Sequence, residues 1–147
     1  MDCFNNITQI VPGIFISDLK AKYCETKLKD FNINYLINLN NTLVGNTFTS
    51  YNITIDTNSE FYNSSSLINI DLNKTNDFIV NALQNNSNIL ICDANYNIPL
   101  LIVGAFLIKY LNISLTDAIY WITKKSNAGG ISKNICFQLF LYFQENK

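Results

Sequence analysis

The chain of 147 residues contains no histidine and no arginine, and all ten of its cations are lysines. An imidazole base, a histidine metal ligand and a planar guanidinium clamp are therefore excluded as chemistry this chain can supply. Charge of either sign is scarce, at 14% of residues with a net −1 and no basic run. That excludes an electrostatic nucleic-acid surface and an acidic-lipid anchor. The four cysteines, Cys3, Cys24, Cys92 and Cys136, are widely spaced and form no C-x-x-C pair. Without histidine they predict neither a zinc site nor a disulfide framework; reduced thiols and a cytoplasmic setting follow. The longest apolar run, Ile98 to Ile108, is too short to span a bilayer and carries Pro99 near its start. It predicts a buried core helix. No signal peptide is visible at the N-terminus, and nothing in the sequence implies a cofactor.

What is present is hydrocarbon and asparagine. Apolar residues make up 48% of the chain, which predicts one packed domain over residues 1–147. The 24 asparagines, many isoleucines and lysine-only cations fit the codon bias of an AT-rich genome, such as that of a large DNA virus or an intracellular parasite. So many asparagines also produce N-x-S/T sequons by chance, as at Asn6, Asn52 and Asn112.

Alternation and turn residues predict a hairpin, Ile7–Val11 and Ile14–Ile16, about Pro12-Gly13. Ser17 or Asp18 is expected to cap a helix running to Phe31. Strands follow at Tyr35–Leu39 and Tyr51–Ile55. Helical segments are expected at Leu67–Ile70 and Phe78–Leu83, broken near Asn73. The all-apolar Ile89-Leu90-Ile91 reads as a strand buried on both faces of a sheet. Ser114-Leu115-Thr116-Asp117 resembles a capping box opening a helix to Lys125, and Gly129-Gly130 ends it. Ser132 starts a last helix that buries Ile135, Leu139 and Phe143. The fold class is α/β, a central mixed sheet with helices on both faces.

The order of these pieces resembles the dual-specificity protein phosphatases, cysteine-dependent enzymes. Ile10-Val11-Pro12-Gly13-Ile14-Phe15-Ile16 is similar to the family's I-x-P-G-L-Y-L opening. Phe31 to Leu39 resembles its G-I-T-H-V-L-N-L strand, Asp77-Phe78-Ile79 its D-F-I helix, and Ile131 to Phe137 its I-x-P-N-x-x-F segment. The family loop reads H-C-x-x-G-x-x-R followed by serine or threonine. The corresponding stretch here is Ile91-Cys92-Asp93-Ala94-Asn95-Tyr96-Asn97-Ile98-Pro99. Ala94 and Asn97 also suit poxvirus-type members, whose loop reads C-A-A-G-x-N-R-S.

By that resemblance only the nucleophile position, Cys92, survives; Ile91 replaces the histidine, Asn95 the glycine, Ile98 the arginine and Pro99 the serine. The arginine would grip two phosphoryl oxygens and stabilise transition-state charge. Ile98 does neither. Losing one preorganised donor costs about 3 kcal/mol, and a guanidinium supplies more than one. Pro99 removes a backbone N–H, although proline suits a first helical turn. Asn95 tolerates a positive φ, so the loop's shape can persist. Asp93 sets a carboxylate beside the thiol, disfavouring thiolate and repelling phosphate. The family's general acid falls nearest Asp56, one residue out of position counted from Glu60-Phe61, and a one-residue insertion would restore it.

Each of these residues has a plainer reading. Cys92 serves as a small buried hydrophobe, the commonest role of a free cysteine; Asp56 and Glu60 are solvated loop carboxylates. Asn134, which the resemblance assigns to bracing the loop, is equally one asparagine among many. Tyr96 is either an exposed contact or a plug in the pocket phosphate would vacate.

Two classes of function remain. The first is an inactive phosphatase homologue, a pseudophosphatase, binding a protein partner as a phosphoprotein reader or through another surface, homodimerisation included. The second is a residual phosphatase acting on phosphoprotein or an RNA 5′-phosphate through Cys92, with Asp56 as acid.

Overall fold

The computed structural model describes residues 7–18, 25–39, 48–53, 70–93, 97–126 and 131–146. Strands β1 (Ile7–Val11) and β2 (Ile14–Ser17) form the expected antiparallel hairpin. Gly13 at its turn holds φ at 92°, and a Cβ there would meet Leu83 Cδ2 at 2.7 Å. Both the backbone angle and the close approach call for glycine. Helix α1 is Glu25–Asp30. Ser17 ends β2 rather than capping a helix, because it pairs with Cys92 in the sheet. The other half of that expected helix, 19–24, lies outside the described residues.

Strand β3 (Ile33–Leu39) is two residues longer than its alternation suggests, and β4 spans Thr49–Ile53. Thr54 and Ile55, expected to extend β4, lie outside the described residues. Helix α2 (Leu72–Gln84), strand β5 (Asn88–Cys92) and helix α3 (Asn97–Tyr110) follow. Helices α4 (Leu115–Ser126) and α5 (Lys133–Glu145) complete the order.

The sheet runs β1-β2-β5-β3-β4, antiparallel in the hairpin and parallel elsewhere. It is the mixed sheet expected, with β5 central. Ile89, Leu90 and Ile91 are fully buried because both faces of β5 are covered. The larger core lies on one face and joins α2, α3, α4 and α5 through Ile79, Leu101, Ile122 and Leu139. A smaller cluster on the other face includes Leu28 of α1 with Phe15, Leu36, Phe48 and Leu90.

Helix α2 starts at Leu72, six residues before the expected Phe78, and the non-helical Ile70 and Asp71 lie close to the break or kink expected near Asn73; residues 67–69 lie outside the described residues. Asp71 caps the helix, accepting from Lys74 N at 3.1 Å, and Asn73 sits in the first turn. Two of its polar residues, Thr75 and Asn76, are buried and donate hydrogen bonds, although Asn76 Oδ1 accepts none. Thr75 Oγ1 donates to Leu72 O at 2.8 Å, and Asn76 Nδ2 donates to the Tyr142 hydroxyl at 2.8 Å. Tyr142 OH donates in turn to Asn73 Oδ1 at 2.7 Å. That bridge explains why α5 buries Tyr142 with Ile135 and Leu139, while Phe143 is only half-buried.

The caps of α4 and α5 form as expected. Ser114 Oγ accepts from Asp117 N, and Ser132 Oγ from Ile135 N, each at 3.2 Å. Helix α3 is buried from Ile98 through Ile108. At Gly104 a Cβ would lie 2.9 Å from both Leu139 methyls, so the glycine brings α3 and α5 close. Among the described residues no helix is long and apolar enough to cross a membrane.

Candidate active site

In a parallel sheet, functional loops gather at the carboxyl ends of the strands. Here β5 ends there on Cys92, and the chain re-enters regular structure at Asn97, the first residue of α3. The Cys92 side chain is fully buried in the smaller cluster, and its Sγ donates weakly to Ile37 O at 3.9 Å. This is the setting of the plainer reading, a small hydrophobe in a core. Ile91, one residue earlier, points to the other face and is fully buried in the larger core.

Ile98, at the expected arginine position, is also fully buried in the larger core. It sits on the first turn of α3. Pro99 is the third residue of that helix, where a missing N–H leaves no intrahelical bond unmade. The two ends of the loop, Cys92 and Ile98, are thus committed to hydrocarbon clusters on opposite faces of the sheet. Asp93 is 1% exposed, and its backbone N–H donates to Ser17 O at 3.2 Å, extending the β2–β5 ladder past Cys92. Ala94, Asn95, Tyr96 and the candidate acid Asp56 lie outside the described residues, as does Glu60.

A feature the sequence did not single out lies beside the cysteine. Strand register places Ser17 and Asn38 on either side of Cys92, with Asn52 next to Asn38. Paired positions project to the same face, so these residues form one row across four strands. Ser17 and Asn38 are buried; Ser17 Oγ donates to Asp18 O at 2.9 Å and Asn38 Nδ2 to Asn52 Oδ1 at 3.2 Å. The signal was a polar residue at the carboxyl end of each strand, but it needs the register to be read.

Asn134 lies in the first turn of α5, half-buried, its Oδ1 accepting from Gln138 Nε2 at 3.3 Å. Cys92 and Cys136 are free thiols; Cys136 is half-buried, and that burial pushes its thiol pKa up. Cys3 and Cys24 lie outside the described residues. Among the described residues no grouping of histidine, cysteine or carboxylate side chains could hold a metal ion.

A central parallel strand ending on cysteine, a short loop and a buried helix define the architecture of a cysteine-loop phosphatase domain. The sequence profile of the dual specificity phosphatase catalytic domain matches residues 14–147, and the chain belongs to that family. Solved structures agree on the fold. The human tyrosine phosphatase-like serine/threonine/tyrosine-interacting protein superposes with a TM-score of 0.80 at 17% identity, covering 95% of this chain and 96% of that one. A leucine-rich-repeat and phosphatase domain protein of Entamoeba histolytica gives 0.75 at 18% identity, covering 95% and 92%. A mouse putative dual specificity phosphatase, solved with zinc tungstate, gives 0.78 at 15% identity, covering 95% and 87%. No sequence relative was found among functionally described proteins.

Proposed function

We propose that this chain is a pseudophosphatase, a dual-specificity phosphatase domain that binds a protein partner and does not turn over phosphate esters. The observation that carries the reading is Ile98, a fully buried hydrocarbon where the family arginine is expected, in a chain with no arginine. A phosphate dianion bound there would lose its hydration and gain no charged donor in return. Ile91 and the buried Cys92 support the same conclusion, since a catalytic thiolate needs access and a cationic setting. A phosphatase-like human protein whose name describes it as an interacting protein shares the fold, which is compatible with a binding role here. Ala94 and Asn97 favour kinship with poxvirus-type members, and the wide spacing of the four cysteines fits a cytoplasmic site of action. Self-association is one form the binding role can take.

The test is a titration of reduced protein with tungstate and with a phosphotyrosine peptide, run beside a turnover assay. The expected result is no turnover and no binding at millimolar ligand. Saturable binding without turnover would make the domain a phosphate reader. Turnover abolished by Cys92→Ser would establish the residual enzyme instead.

A further inference from the structure

Helix α4 carries a surface the phosphatase fold does not use. It buries only Ala118, Ile122 and Ser126, leaving Tyr120 62% and Trp121 38% exposed on its outer side. One turn later stand Lys124 and Lys125, both exposed. The i, i+4 spacing stacks each lysine on one ring. Lys124 Nζ lies 5.7 Å from the Tyr120 centroid and Lys125 Nζ 4.8 Å from that of Trp121. Both distances are within cation–π range. The indole does not swing freely, because Trp121 Nε1 donates to Ile10 O of β1 at 2.8 Å. Two aromatic rings, one pinned to the sheet, therefore hold two ammonium groups at the surface of a chain with net charge −1.

We propose that this face of α4 is the partner-binding surface, and that its partner is an acidic protein segment bearing an apolar or aromatic side chain. The proposal rests on the binding-module reading. Charge complementarity selects the occupant: carboxylates meet Lys124 and Lys125, and the apolar group stacks against Tyr120. Tryptophan and tyrosine are the residues that most often dominate protein interfaces, and a ring fixed before binding loses little entropy on contact. A membrane fits less well. Two lysines are too few for stable electrostatic anchoring to a membrane, and the helix's apolar side is already spent on the core.

Trp121 is the only tryptophan of the chain, so its emission reports on this surface alone. The experiment titrates the full chain with a capped peptide of glutamates around one phenylalanine, while tryptophan emission is followed. Its glutamine counterpart and phosphatidylserine vesicles are run in parallel. We expect a saturable emission change with the acidic peptide only, weakened by salt. The double variant Lys124→Glu, Lys125→Glu should bind about tenfold more weakly, at unchanged circular dichroism and melting temperature. Tyr120→Ala should weaken binding while leaving the salt dependence intact. An unchanged spectrum at millimolar peptide overturns the proposal. So does an equal response to the glutamine peptide, a response to vesicles alone, or emission that changes with protein concentration through self-association. Turnover measured on the same samples fails or holds independently, so loss of the pseudophosphatase reading is distinguishable from loss of this surface.

Discussion

Two helices of the same domain use apolar residues in opposite ways. Helix α3 is buried from Ile98 through Ile108, beginning with Ile98 in its first turn. Helix α4 buries a narrow stripe and turns Tyr120 and Trp121 outward, each under a lysine. Composition already separates them, since α3 carries one charged residue and α4 three, and burial follows it. An isoleucine inside a core has its role explained by packing, whereas a large aromatic left at the surface beside charge is the less common arrangement and the more informative. On the proposed readings, the catalytic position has lost its chemistry and recognition belongs to an outer helix.

The strongest challenge to that comparison is the reactivity of Cys92. If the catalytic end is sealed, its thiol reacts only when the domain opens. Iodoacetamide should then modify Cys92 more slowly than in the urea-unfolded chain by about a thousandfold or more. Peptide mapping by mass spectrometry reads this directly, and fast native labelling would mean an open pocket. Half-buried Cys136 is the internal control and should react at an intermediate rate. Because burial raises its pKa, less of it is thiolate at any given pH, so its labelling should reach half-maximal rate at higher pH than that of a small free thiol.

Restoring the family arginine should do harm. Ile98→Arg places a guanidinium in the larger hydrocarbon core, at a cost of about 3–5 kcal/mol. Denaturant unfolding should show that loss, and turnover should stay at background because Ile91 and Asp93 are unchanged. A variant as stable as the parent, and active, would show that the start of α3 is solvated and that the two helices differ less than the burial suggests.

A third measurement probes the polar seam that holds α5 against α2. Tyr142→Phe deletes the hydroxyl that joins Asn76 to Asn73, leaving the buried Asn76 amide short of a partner, for about 1–3 kcal/mol. Burial raises the Tyr142 pKa in the folded state, so the unfolded chain ionises first. The stabilising contribution is therefore whole below the ordinary tyrosine pKa and is lost as pH rises through and above it. The variant should lose stability less steeply at alkaline pH than the parent.

Much of this was legible in the sequence, for a physical reason. The hairpin at Pro12-Gly13, the central strand at Ile89–Ile91 and the buried helix from Ile98 all follow from local pattern, and the structure places them where that pattern predicts. What local pattern could not supply was long-range satisfaction. Asn73 reads as a break or kink, yet Tyr142, 66 residues beyond Asn76, bonds both Asn73 and the buried Asn76 and ties α5 to the start of α2. The row of Ser17, Asn38 and Asn52 beside Cys92 is likewise visible only once the strands are in register. Of the candidate site, Cys92 and Ile98 at its ends are buried, Cys92 at the end of the strand and Ile98 in the helix that local pattern predicts.

The smallest predicted effect bears on the outer helix itself. Trp121 is joined to Ile10 O across 111 residues of sequence, a contact no motif announces. Trp121→Phe keeps an aromatic ring beneath Lys125 but removes the N–H donor. The lost bond should cost about 1 kcal/mol in denaturant unfolding, the net worth of one such hydrogen bond. The Trp121→Phe protein carries no tryptophan, so acidic-peptide affinity is read by calorimetry. If pinning matters to recognition, affinity should fall although the ring and both lysines remain, since the phenyl ring must be ordered on contact. Undiminished affinity alongside the lost stability would assign Trp121 to holding α4 on the sheet and leave recognition to Tyr120 and the lysines.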